Sequence, residues 1–269
     1  MVNALDKVQP KNKTQLRQLI NYAFKHHIYD LNFIDTSEIT DMSKLFMSCE
    51  YDFDVSSWDV SNVTNMSQMF DFCVNFNCDL SGWDVSNVKN MRQIFYGCIR
   101  LNTDLSNWNV SNVTNMYRMF VGCKKFNSDL SNWNMANVKT TRYMFSGCES
   151  FEGKGLENWD VSKVKDMHSM FYGCKKLNCD LSNWDVSNVT NMACMFNGCT
   201  NFKVKGLEHL DVSNVTDMAR MFAGCKKFNC DLSDWDVSFV SNFGWTFYRC
   251  DKMTIPKWYM RIMNATKYN

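Results

Sequence analysis

Trp83-Asp84-Val85-Ser86-Asn87-Val88-Lys89-Asn90-Met91, running on through Ile94-Phe95 to Gly97-Cys98, is a word that this chain repeats. It returns around Trp58, Trp108, Trp133, Trp159, Trp184 and Trp235, and in weaker form around Ile34 and Leu210, at intervals of 24 to 26 residues. One unit of that length cannot bury its apolar face alone, so a fixed period implies units stacked on one another. The length of 269 residues therefore sets the number of units rather than the number of globular domains.

From Leu31 onward each unit follows L-x-x-W-x-V-x-x-V-x-x-M-x-x-M-F-x-x-C, as in Val55, Trp58, Val60, Val63, Met66, Met69, Phe70 and Cys73. W-x-V has the two-residue period of a strand, and V-x-x-M-x-x-M-F-x-x-C has the three-and-four spacing of a short helix. The segment Ser61-Asn62-Val63-Thr64-Asn65 between them supplies side chains able to start that helix, and Gly97, Gly122, Gly147, Gly173, Gly198 and Gly224 stand near its expected end. The expected fold is an α/β repeat solenoid, leucine-rich-repeat-like, with about nine rungs of short strand plus short helix.

Three parts are expected: an N-terminal capping unit over 1–30, the repeats over 31–252, and a C-terminal cap over 253–269. Within the first, Leu16, Leu19, Ile20, Ala23 and Phe24 place an amphipathic helix over 13–27 with Thr14 as its cap. Such a helix would cover the open end of the stack. Two units carry an extra residue, at Phe151-Glu152-Gly153-Lys154-Gly155-Leu156 and Phe202-Lys203-Val204-Lys205-Gly206-Leu207, and read as drift in a surface loop. The last unit is degraded, with Phe243 and Thr246 in methionine places and Trp245 and Trp258 outside the ladder. Ile255-Pro256-Lys257-Trp258-Tyr259 then ends the array.

The net charge of +1 gives no global bias towards nucleic acid or an anionic membrane. No run of eighteen apolar residues and no apolar leader is visible, so the chain as written is expected to be cytoplasmic and to have no membrane span. Nine of the thirteen cysteines, Cys49 to Cys250, share one repeat position, which marks a shape requirement and a buried reduced column rather than zinc ligands or disulfides. Cys78, Cys179 and Cys230 share a second, more exposed place. Lysine pairs such as Lys124-Lys125 read as a solvated loop face.

The word W-D-V-S-N-V-T-N-M-x-x-M-F-x-G-C-K-K-F-N-x-D-L-S, met from Trp108 to Ser131 with small substitutions, resembles the BspA-like leucine-rich-repeat surface protein family, also called the mycoplasma-type lipoprotein repeat. The resemblance spans about residues 31 to 252. It implies binding or adhesion, often at a microbial cell surface, and brings no shared enzymatic activity.

The candidate partner-binding face follows from the residue between Trp and Val, which points away from the core: Asp59, Asp84, Asn109, Asn134, Asp160, Asp185, Asp211 and Asp236. Stacked carboxylates repel unless they accept hydrogen bonds, are hydrated or bind a cation. Bonding to turn backbone is the preferred reading over calcium, and a macromolecular partner is the preferred use of the face. The histidines pair with no metal or triad pattern, and no P-loop, dinucleotide fingerprint or nucleophile elbow occurs. No catalytic residue, cofactor, metal or nucleic-acid partner is expected. The chain reads as a non-enzymatic scaffold for a protein or other macromolecule, with self-association as the alternative.

Overall fold

The computed structural model describes residues 7–202 and 204–265. Residues 1–6 of the N-terminal unit, Lys203 in the second insertion and residues 266–269 of the C-terminal unit lie outside them. The described chain holds two α-helices, α1 (Lys13–Lys25) and α2 (Lys257–Ala265), two single 3₁₀ turns and a series of isolated parallel bridges. The expected rung of strand plus helix is therefore wrong, and with it the leucine-rich-repeat-like α/β assignment.

Successive β-turns take the place of both elements. Met69 N–H bonds Met66 carbonyl at 3.1 Å and Cys73 N–H bonds Phe70 carbonyl at 3.0 Å, so Met-x-x-Met-Phe-x-x-Cys is two turns in tandem. The third residue of each is left-handed, Gln68 at φ 59° and Phe72 at 57°, while the second is not, which is the type II sign pattern. A right-handed helix excludes a left-handed residue every fourth place. Trp-x-Val is likewise a junction of turns: Trp58 closes one on Val55 and Val60 opens the next to Val63.

Short polar side chains set the corners. Asp54, Asp59, Asn65 and Asp79 each accept, through Oδ1, the amide two residues on, at 2.8 to 3.1 Å. At the second left-handed place most rungs use glycine. A Cβ on Gly147 would come within 3.4 Å of the Gly122 backbone below it, so close stacking as well as φ favours the missing side chain there.

The tandem turns leave amides that only the next rung can satisfy. Met66, Gln68, Phe70 and Phe72 donate to the carbonyls of Asn90, Arg92, Ile94 and Tyr96, and the same offset recurs from the 42–49 turns to the 243–250 turns. Side chains bind the rungs a second time. Trp108 Nε1–H donates to Leu80 carbonyl at 3.0 Å and Asn112 Nδ2–H to Ser86 carbonyl at 2.7 Å. Phenylalanine rings stack face to face along the axis, with Phe70, Phe95, Phe120 and Phe145 spaced 5.5 to 5.7 Å. Every buried indole thus gains dispersion and a partner for its N–H, which burial demands.

At the N-terminal end, α1 buries Leu16, Ile20 and Ala23 in the same core. Its cap is Asn12 rather than Thr14: Asn12 Oδ1 accepts Gln15 N–H at 3.0 Å, and Gln15 returns a bond to Lys11 N–H. The helix stops at Lys25, two residues short of the expected span, with His27 left-handed just beyond. At the other end Trp258, expected outside the ladder, continues it, for its Nε1–H donates to Leu232 carbonyl at 2.8 Å. The register persists across the degraded unit because α2 returns an indole to the vacant place. A 3₁₀ turn begins at the last residue of each insertion, Leu156–Asn158 and Leu207–His209. These turns keep Leu156 and Leu207 buried, and those residues' carbonyls accept Trp184 and Trp235.

Candidate interaction surface

The eight residues from Asp59 to Asp236 stand at one equivalent place in successive rungs, and all are exposed. Each accepts, through Oδ1, the amide two residues on, from Ser61, Ser86, Ser111, Ala136, Ser162, Ser187, Ser213 and Ser238, at 3.0 to 3.2 Å. Asn109 and Asn134 make the same bond as the aspartates, so the turn needs an oxygen and not a charge. Hydrogen bonds from the Ser86 and Ser162 side chains and amides hold the Asp84 and Asp160 carboxyls below the usual value. The column has no strand beneath it. Its stacking comes from the turns, and the expected strand-lined face is replaced by a turn-lined one.

The cysteine column has a use that spacing did not disclose. Eight of its thiols donate to the phenylalanine carbonyl of the preceding rung, from Cys73 to Phe46 through Cys250 to Phe222, at 2.9 or 3.0 Å. All thirteen cysteines are free. Burial pushes the Cys73 thiol up to about 12 and that of Cys123 well above its ordinary value. In the second column, Cys78 is nearly buried and its thiol meets Asp54 at 3.3 Å, while Cys179 and Cys230 are partly exposed.

A second surface went unnoticed in the sequence. The outward places of the Met-x-x-Met-Phe turns carry Arg92, Arg118, Arg142, Arg220 and Arg249, five of the chain's eight arginines, together with Tyr96, Tyr117, Tyr143, Tyr172 and Tyr248. Arg92 and Arg118 lie 5.3 and 5.0 Å from the Tyr117 ring centroid, and Arg118 and Arg142 lie 4.9 and 5.3 Å from that of Tyr143. His168 packs on Tyr143 and meets its hydroxyl at 2.9 Å, and Arg142 pairs with Asp166 at 3.1 Å. A count of residue types at each repeat position would have found this face, because its positions vary from rung to rung while the inward ones do not.

Beside the last rung, Phe243, Trp245, Phe247, Tyr259 and neighbours line an apolar cleft of about 690 Å³ against α2. Among the described residues, no three His, Cys, Asp or Glu side chains are gathered to hold a metal ion, and no helix is long and apolar enough to cross a membrane.

These features define a repeat protein whose rungs are chains of β-turns, bonded to each other by backbone and by indole, amide and thiol donors. The family described as Mycoplasma protein of unknown function, DUF285, matches residues 14–113, 80–182 and 149–258, and the chain belongs to it. That places it in a mycoplasma-type repeat family. No curated protein matches the chain.

Proposed function

We propose that the chain is a non-enzymatic interaction scaffold that holds a macromolecular partner, in adhesion or in assembly, on the face carrying Asp59 to Asp236 and the loops beside it. The observation that supports this is the column itself: eight exposed polar residues lie in register, each with Oδ1 bound to its own turn. Ordered acceptors on a rigid stack lose little entropy when a partner's donors meet them. A kinship with BspA-like surface proteins, and a place at the cell surface, belong to the same proposal. The test is partner recovery with Asp84, Asp160 and Asp185 reversed to lysine, beside the three asparagine variants that keep the turn bond. Unchanged recovery by the lysine variant removes this face.

One observation favours self-association as a second reading. The amides of Phe243, Trp245, Phe247 and Arg249 have no acceptor among the described residues, whereas the equivalent amides of earlier rungs bond the next rung. An unpaired edge is a template for another chain. Light scattering over a concentration series tests it, and a persistent monomer disposes of it.

A further inference from the structure

The last rungs leave the repeat at several neighbouring places at once. Trp245 stands where other rungs carry Gln68, Gln93, Arg118, Tyr143, Ser169, Cys194 and Arg220, and Arg249 stands where six rungs carry glycine. The rung before is thinned on the same face to Ala223, where others carry Asp71, Tyr96, Val121, Tyr172 or Asn197, beside the usual glycine at Gly224. The result is a depression of about 400 Å³ with Ala223 and Gly224 among its lining, bordered by Arg220, Arg249, Trp245, Tyr248 and Asn197.

Three properties of this depression point to a ligand. Its indole is out in water, Trp245 being 57% exposed, whereas the ladder tryptophans from Trp58 to Trp235 are 1 to 5% exposed. Tyr248 meets that indole in a T-shaped contact, with ring centroids 4.8 Å apart at 81°, and steadies it. Two guanidinium groups also border the space. That of Arg249 lies 5.2 Å from the Tyr248 ring, neither has a carboxylate partner among the described residues, and no carboxylate lines the depression. Arg142, on the same face three rungs earlier, does have one in Asp166.

The place is left-handed throughout the array, with Ser48 at φ 61° and Phe72 at 57° in the first two rungs. Arg249 has φ 57°. What sets Arg249 apart is a long cation where six rungs carry glycine, next to an exposed aromatic.

We propose that this depression binds an acidic sugar, a pyranose ring bearing a carboxylate. The flat apolar indole receives the C–H face of the ring, as aromatic side chains do for ligands with one apolar side. A guanidinium fork matches a carboxylate with two parallel N–H donors, and both Arg220 and Arg249 border the depression. The Asn197 amide offers both a donor and an acceptor to a ring hydroxyl. This site is separate from the Asp59 to Asp236 column and stands or falls independently of it.

The test uses the full chain with D-glucuronate and N-acetylneuraminate as probes, and with glucose and adenosine monophosphate as controls, read by calorimetry and ligand-observed NMR. Three variants put at each place a residue the repeat itself uses there: Trp245→Gln as at Gln93, Arg220→Gln as at Gln68, and Arg249→Gly as at Gly224. Each is expected to fold, and Arg249→Gly to melt no lower than the parent. The expected result is one site for a carboxylated sugar, at least tenfold weaker binding of glucose, and at least tenfold loss in each variant. Absence of binding by both sugar acids, binding that the variants leave unchanged, or binding of the nucleotide alone each overturns the proposal.

Discussion

The Cys123 thiol donates a hydrogen bond of 3.0 Å to the carbonyl of Phe95, one rung earlier, with both residues fully buried. That carbonyl already accepts the Cys98 amide at 3.1 Å, and a small side chain with a weak donor meets its second lone pair without adding bulk. Serine would bring a stronger dipole and alanine no donor at all.

Cys123→Ala is therefore expected to destabilise by about 0.5–1.5 kcal/mol, the net worth of one hydrogen bond, since the Phe95 carbonyl keeps the Cys98 amide. A denaturation midpoint that does not move would show the bond to be idle. Ellman's reagent at neutral pH should titrate the native thiols slowly, and all thirteen only after denaturant is added.

The same column makes the protein sensitive to alkali. Burial raises the folded thiols, Cys73 to about 12 and Cys250 to about 11, from an ordinary value of 9.0. The unfolded chain releases these protons first, so stability is intact below about pH 9 and falls as pH rises towards the folded values. Melting temperatures measured from pH 7 to 11 should decline more steeply in the parent than in a Cys148→Ala, Cys174→Ala double variant.

On the acid side, Asp129 is held down to about 2 by hydrogen bonds from Lys154, 2.6 Å away, and Ser131. A depressed carboxyl contributes stability above its unfolded value near 4, lost as pH falls through the folded one. Asp129→Asn, which keeps an oxygen for the turn as Asn109 does, should therefore be less stable than the parent at pH 6 and converge with it below about pH 2. Parallel acid limbs would mean that the pairing adds nothing.

Glycine positions sort by contact. A Cβ on Gly155, at φ 92°, would fall 2.1 Å from the Ser131 amide nitrogen, a backbone atom that cannot give way. Gly155→Ala should cost more than the roughly 1–2 kcal/mol of the left-handed backbone alone. Gly82 has open space and no positive φ, so Gly82→Ala should stay within about 0.5 kcal/mol of the parent. Equal melts for the two would refute the stacking geometry.

Trp108→Ala removes a fully buried indole, its bond to Leu80 and its stack on Trp83, where the centroids lie 6.5 Å apart. A loss of about 3–5 kcal/mol is expected in a chemical melt.

How much of this was legible varies by residue. The inward positions of Trp, Val, Met, Phe and Cys could be read from the period, because a residue type repeated every rung must meet its own kind. The polar column could be placed outward for the same reason. The open Trp245 depression could not, since it depends on the absence of bulk at Ala223 in the neighbouring rung as much as on what rung nine adds.

The repeat word determined by itself that the rungs stack, which residues face inward, and that Asn, Asp and Ser would hold the corners, all of which follow from side-chain size and short-range bonding. Only the tertiary structure decided the backbone. Met66, Met69, Phe70 and Cys73 face one way in a short helix and equally in two tandem turns, because both forms bring residues three and four apart to the same side. What breaks the tie is where the amides find acceptors: a helix bonds within its own segment, whereas here Met66, Gln68, Phe70 and Phe72 bond the carbonyls of the next rung, a partner twenty-odd residues away that no local pattern contains.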